Sequence, residues 1–198
     1  MKISLFPLFL LFATSLHAQE GKPDAGELVR EVRHSQAGEE YTMKGELIKG
    51  RKTAGFTMST VPDLDMIRFK FDDPIQIISL VLKPNRAELT EQVVGQPAKP
   101  LAEKRYGEKI QGTDVTYEDI SQRFLYWPNP KIVDDEKERI SLGVRRDAWK
   151  VRLDNPRPGL GPYRVVMIWV DKESKALLRV DGYDDKGRKI KRFEVSKV

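Results

Sequence analysis

Side chains able to do chemistry are scarce in this chain. Cysteine is absent and histidine occurs twice, and nucleophile-and-base catalysis normally draws on those two residue types. Only His34 lies beyond the first eighteen residues, beside Ser35 and just past an expected helix, where an exposed helix-end side chain is the simpler reading. A metal site would have to be assembled from carboxylates, and neither a calcium-loop pattern nor a His-Glu-x-x-His pattern is present. The adjacent pairs Glu118 with Asp119 and Asp134 with Asp135 could in principle serve as acid and base. Neighbours in a strand point to opposite faces, however, and in a helix they diverge by about a hundred degrees. Gly159 and Gly161 flank Leu160 but are followed by Pro162 with no helix opening there, which argues against a phosphate-cradling loop. No catalytic, cofactor-binding or metal-ligating residue is singled out, and an enzyme is not expected.

The remaining resource is apolar surface and its arrangement. Thirty-five Lys and Arg face thirty Asp and Glu for a net charge of +5, with charged residues a third of the chain. The two signs are interspersed, as in the run 134–139, which reads as solvated faces and not as a nucleic-acid stripe. Residues 1–18 differ from the rest: Lys2, then an apolar stretch over 3–16, then Ala18 before Gln19, the layout of a secretory signal peptide. That stretch is about fourteen residues, against the roughly twenty a spanning helix needs. The expectation is therefore export across a bacterial inner membrane and cleavage after Ala18. Residues 19–198 would remain as one periplasmic domain, soluble because no cysteine is available for lipid attachment and stabilised by a core without disulfides.

The elements that must hold this surface follow from periodicity. Asp24 is an N-cap with Glu27 three residues on, and Leu28, Val29 and Val32 give one apolar face, which predicts a helix over 24–33 ended by Gly38. The period then changes to two. Strands are predicted over 41–49, 54–60, 66–71, 75–82 and 87–94, with Gly50, Arg51 and Lys52 turning between the first pair; the clearest alternation sets Ile67, Phe69 and Phe71 against Arg68 and Lys70. A Pro- and Gly-rich loop leads to a second helix in which Thr116 and Asp119 form a capping box and Ile120, Phe124 and Leu125 have helical spacing before Pro128 and Pro130 stop it. Further strands are predicted over 149–154, 163–170, 177–183 and 190–195, the last two joined by a hairpin at Gly187. Residues 163–170 are apolar at nearly every position, as in a strand covered on both sides.

The stretches Gly112-Thr-Asp-Val-Thr-Tyr-Glu-Asp-Ile120, Tyr163-Arg-Val-Val-Met-Ile-Trp-Val-Asp-Lys-Glu-Ser174 and Leu178-Arg-Val-Asp-Gly-Tyr-Asp-Asp-Lys-Gly187 together resemble the outer-membrane lipoprotein-sorting protein family, the LolA-like periplasmic carriers. The resemblance is best over 112–195; upstream only the order of helix and strands agrees. It implies an α+β fold with a single strongly curved antiparallel sheet, an incomplete β-barrel, whose apolar concave face is covered by helices. It also implies a carrier that takes lipoproteins by their acyl chains from an inner-membrane export complex to an outer-membrane receptor. The inner face would carry Met43, Leu47, Phe56, Met58, Ile67, Phe69, Phe71, Trp149, Val151, Met167 and Trp169, a set rich in the methionine and aromatic side chains that suit adaptable pockets. Parity in the apolar run 163–170 leaves Met167 and Trp169 ambiguous, and the same alternation describes an ordinary dry core. If a cavity exists, Phe69→Glu or Phe71→Glu should abolish acyl-chain uptake without unfolding. An envelope protein-interaction or stress-sensing module on the same fold, without lipid transport, is the alternative function.

Overall fold

The computed structural model describes residues 22–49, 51–133, 140–141 and 145–194. The expected export segment 1–18, Gly50 and the acid pair Asp134 and Asp135 lie outside the described residues. The first helix, α1, spans Ala25–Ser35, and Asp24 caps it by accepting from the Glu27 backbone N–H at 2.8 Å. Only half of the expected capping box forms, because the Glu27 carboxylate turns instead to Arg30 at 2.9 Å. An eleven-residue helix is marginal by itself in water, so its stability comes from burying Leu28, Val29 and Val32.

Six antiparallel strands follow as a meander: β1 Thr42–Lys49, β2 Lys52–Val61, β3 Met66–Asp72, β4 Ile75–Leu82, β5 Ala87–Val93 and the short β6 Lys99–Pro100. Directly opposed residues share a face, so the register Met58–Phe69–Ile78 and its neighbour Phe56–Phe71–Gln76 define one side of this sheet. Gly45 lies opposite Phe56; a Cβ there would sit 2.5 Å from the Phe56 ring, so only glycine lets the ring lie across β1. On β3 the alternation holds as expected, with Ile67 and Phe71 buried, Phe69 half-buried, and Arg68 and Lys70 exposed.

The second sheet has the order β13-β12-β11-β10-β7, built from β7 Lys131–Ile132, β10 Ala148–Asp154, β11 Val165–Asp171, β12 Leu177–Tyr183 and β13 Lys189–Glu194. The small strands β8 Ile140–Ser141 and β9 Arg145–Arg146 pair with each other. Asp184 accepts from the backbone N–H of Lys186 and Arg188 in the β12–β13 hairpin, where Gly187 takes φ 71°. Among the described residues the expected single sheet is thus divided into two large hydrogen-bonded ladders, neither closed on itself, besides the small β8–β9 pair. Residues 101–130, which separate them, form 3-10 turns and a short helix, and Pro128 and Pro130 cannot donate to a ladder.

That helix, α2, is Tyr117–Ser121, with the reciprocal Thr116–Asp119 capping box in place. It stops sooner than the spacing predicts because Gln122 adopts left-handed φ 50°, ψ 29°, and the chain continues as a 3-10 turn over Arg123–Tyr126. The break divides the apolar residues: Tyr117 and Ile120 join the core of the first sheet with Ile67, Phe71, Ile78 and Leu80. Phe124 and Leu125 join the core that α1 makes with Val151, Leu153, Val166 and Ile168. Arg33 pins this second arrangement, donating to the Leu125 carbonyl at 2.7 Å with its guanidinium 4.6 Å over the Tyr126 ring.

Candidate functional site

Where the two cores meet, the side chains leave a partly open cavity of about 330 Å³. The first sheet contributes Met58 and Phe69, the middle segment Val115, Ile120 and Phe124, and the second sheet Leu177, Val180 and Phe193. Val180 lies opposite Phe193 across β12 and β13, as Met58 lies opposite Phe69 across β2 and β3, so two apolar cross-strand pairs bound the space. The polar residues of the lining are Asp119, Gln122, Arg179 and Glu194.

Of the eleven residues expected on an inner face, Met58 and Phe69 line this cavity. Leu47 and Phe56 pack beside them on the same face, with the Phe56 and Phe69 ring centroids 6.1 Å apart. Ile67 and Phe71 are buried in the core at 3% and 1% exposure, whereas Met43 on edge strand β1 is 50% exposed. Trp149 and Val151 belong to the core that α1 joins and are not among the residues lining the cavity. Met167 and Trp169 lie on the other side of β11, in a cluster with Leu178, which itself reaches the cavity, and Arg179 and Lys150 lie over the Trp169 ring at 4.2 and 5.1 Å. In a strand buried on both faces, composition carries no parity signal, and neither residue is among those that line this cavity. The residues missed were those of α2 and the β12–β13 hairpin. Alternation at Val180 and Phe193 was available, but nothing in it showed that this face would meet Met58 and Phe69.

Polar contacts fasten α2 to both sheets around the cavity. Asp119, which accepts from the Thr116 N–H at 2.7 Å within the capping box, also accepts toward the second sheet from Lys191 Nζ at 2.5 Å and from the Tyr163 hydroxyl. Toward the first, Glu91 accepts from Gln76 at 2.6 Å, from Arg105 at 2.5 Å and from the Tyr117 hydroxyl, and Gln111 donates to Gln76 at 2.7 Å. Glu118 is buried against Arg123, whose guanidinium lies 3.9 Å over the Tyr106 ring. Burial pushes the Glu118 carboxyl up, and Arg123 opposes it.

Burial also works against ionisation of Glu91, but hydrogen bonds from Arg105, Tyr117 and Gln76 outweigh it and hold this carboxyl below its ordinary value. A carboxyl lowered in the folded state stabilises above its unfolded pKa, near 4.5, and loses that contribution as pH falls through the lower folded value. Glu91→Gln should therefore cost about 1.5–3 kcal/mol at neutral pH, the scale for hydrogen bonds to a charged group. The difference from the parent should narrow below about pH 4.5, as read by urea unfolding at a series of pH values. A constant difference across that range would show that the ionised form makes no special contribution.

No group of three or more His, Cys, Asp or Glu positioned to hold a metal occurs among the described residues. No helix among them is long and apolar enough to cross a membrane.

Three solved structures share this architecture. A domain described as an outer membrane lipoprotein-sorting protein domain from Vibrio parahaemolyticus matches with TM-score 0.62 and 18% identity, over 85% of this chain and 75% of that one. A DUF1329 family protein from Desulfovibrio piger matches with TM-score 0.60 and 14% identity, over 85% and 75%. A LolA superfamily protein from Nitrosomonas europaea matches with TM-score 0.55 and 13% identity, over 86% and 76%. At these identities the likeness defines the fold, and the fold is LolA-like: mostly antiparallel open sheets with few helices. A family model described as an uncharacterized protein matches residues 96–198, just over half of the chain, and the chain belongs to that family. The matched span takes in the α2 segment and the whole second sheet. No curated protein matches the chain.

Proposed function

We propose that this chain is a periplasmic carrier that takes acyl chains of lipoproteins or lipids into the cavity beside α2 and moves them toward the outer membrane. The observation that carries the reading is an open, mainly apolar cavity bounded by both sheets and α2 within a LolA-like fold. Moving a methylene out of water is worth about 0.8 kcal/mol, so a sixteen-carbon chain resists crossing an aqueous space by on the order of 12 kcal/mol. A carrier must offer that chain an apolar surface. Its volume puts the cavity near the lower end of the roughly 300–1,000 Å³ typical of small-ligand sites, which suits one chain or part of one. On this reading α2 and its flanking turns cover the concave side of a curved double sheet, and residues 19–198 form the domain left after removal of 1–18. An inner-membrane export complex would supply cargo and an outer-membrane receptor would accept it.

Delipidated protein should take up a fluorescent fatty acid at a stoichiometry near one, and mass spectrometry of organic extracts of the native protein should find acyl lipid. Absence of both, together with a stoichiometric protein partner recovered from periplasmic extract, would favour an interaction module instead.

A further inference from the structure

An edge strand with unpaired backbone groups is a template for another chain, and proteins blunt such edges with a proline, a bulge or a very short strand. Among the described residues, three of the four edges of the two large ladders are blunted in this way. β6 and β7 are two residues long, β6 with Pro100 in it, and β13 shifts register against β12 beside Tyr183. The fourth edge, β1, runs eight residues without proline and holds one unbroken register with β2. Tyr41 turns its carbonyl to the Thr60 N–H of β2, so by antiparallel alternation the backbone groups of Thr42, Lys44 and Glu46 point away from β2. Thr42, Met43, Lys44 and Glu46 are exposed, and neither Lys44 nor Glu46 makes an ion pair among the described residues.

We propose that β1 is a self-association edge: it pairs antiparallel with β1 of a second copy of this chain, Gly45 facing Gly45, and joins the two six-stranded sheets into one. Charge selects both the occupant and the register. A two-fold axis normal to the joined sheet requires opposed residues to share a face, so the axis falls at a residue and never between two. With the axis at Lys44, two lysines oppose each other; at Glu46, two glutamates do. At Gly45, each Lys44 meets Glu46 of the other copy on the outer face, twice by symmetry, and each exposed Met43 meets Leu47 of the other copy on the inner face. Axes further along leave most of the strand unpaired. The backbone agrees with this register, because Lys44 and Glu46, whose N–H and C=O groups point outward, are the residues that would exchange ladder hydrogen bonds. Gly45, kept without a side chain by the Phe56 ring, puts nothing at the axis on the inner face. No β1 residue lines the cavity, so the pairing is independent of what the cavity holds.

Sedimentation velocity of the purified protein over a dilution series should show a dimer that dissociates as it is diluted. Lys44→Glu and Glu46→Lys each set like charges against one another at both symmetric positions and should weaken association about tenfold or more. Mixing the two variants in equal amounts restores opposite charges at every pair, as does combining both substitutions in one chain. Both samples should therefore dimerise as the parent does. The two side chains are exposed, so the melting temperature of every variant should stay within a few degrees of the parent's. A parent that is monomeric at its highest soluble concentration overturns the proposal. So does a dimer that neither single substitution weakens, or one that mixing fails to restore, because its contact would then lie on another face.

Discussion

Phe71→Ala should destabilise the protein by about 3–5 kcal/mol, the range for removing a buried aromatic ring. Phe71 is 1% exposed, its ring centroid lies 5.6 Å from that of Phe56, and it shares a core with Ile67, Ile78, Leu80 and Tyr117. Domains of this kind are stable by about 5–15 kcal/mol, so the loss would be a large fraction of the total. Urea unfolding would read it as a lower midpoint with an unchanged slope. A loss under about 1 kcal/mol would mean that the ring is not part of a close-packed core. The same burial overturns the sequence-based expectation that Phe71→Glu would leave the fold intact. A carboxylate there would have no route to water and should unfold the domain.

Two residues earlier the outcome should be the opposite. Phe69 is half-buried and lines the cavity, so Phe69→Glu places a carboxylate where it can reach water from the empty protein but must be desolvated when an acyl chain enters. Desolvating an ion costs several kcal/mol, so fatty-acid uptake should fall roughly a hundredfold or more, with the melting temperature changed by only a few degrees. Uptake at the parent level would place the bound chain elsewhere and remove this cavity from the function. The two phenylalanines share one strand face, and they are distinguished by what lies over them.

That distinction also marks how far the sequence could be read. The strand face bearing Ile67, Phe69 and Phe71 was legible because polar residues alternate with them, and caps at Asp24 and Thr116 were legible because each needs a specific side chain at a specific spacing. The face of Met167 and Trp169 was not legible, since β11 is apolar at nearly every position. The early stop of α2 was hidden as well, because Gln122 carries no local mark of a left-handed residue.

The family resemblance, carried by residues in the second half of the chain, pointed to a LolA-like fold of mostly antiparallel open sheet, and the solved structures match at that level. By itself the sequence determined element types, the wet and dry sides of most strands and the shortage of catalytic groups, because these follow from neighbours along the chain. Only the tertiary structure decided that the strands form two ladders, that α2 divides its apolar residues between two cores, and that Met58 and Phe69 meet Val180 and Phe193 across a cavity. Those outcomes depend on contacts between segments distant along the chain, in the cavity's case more than a hundred residues apart, whose free energy exists only once the chain is folded and leaves no periodicity behind.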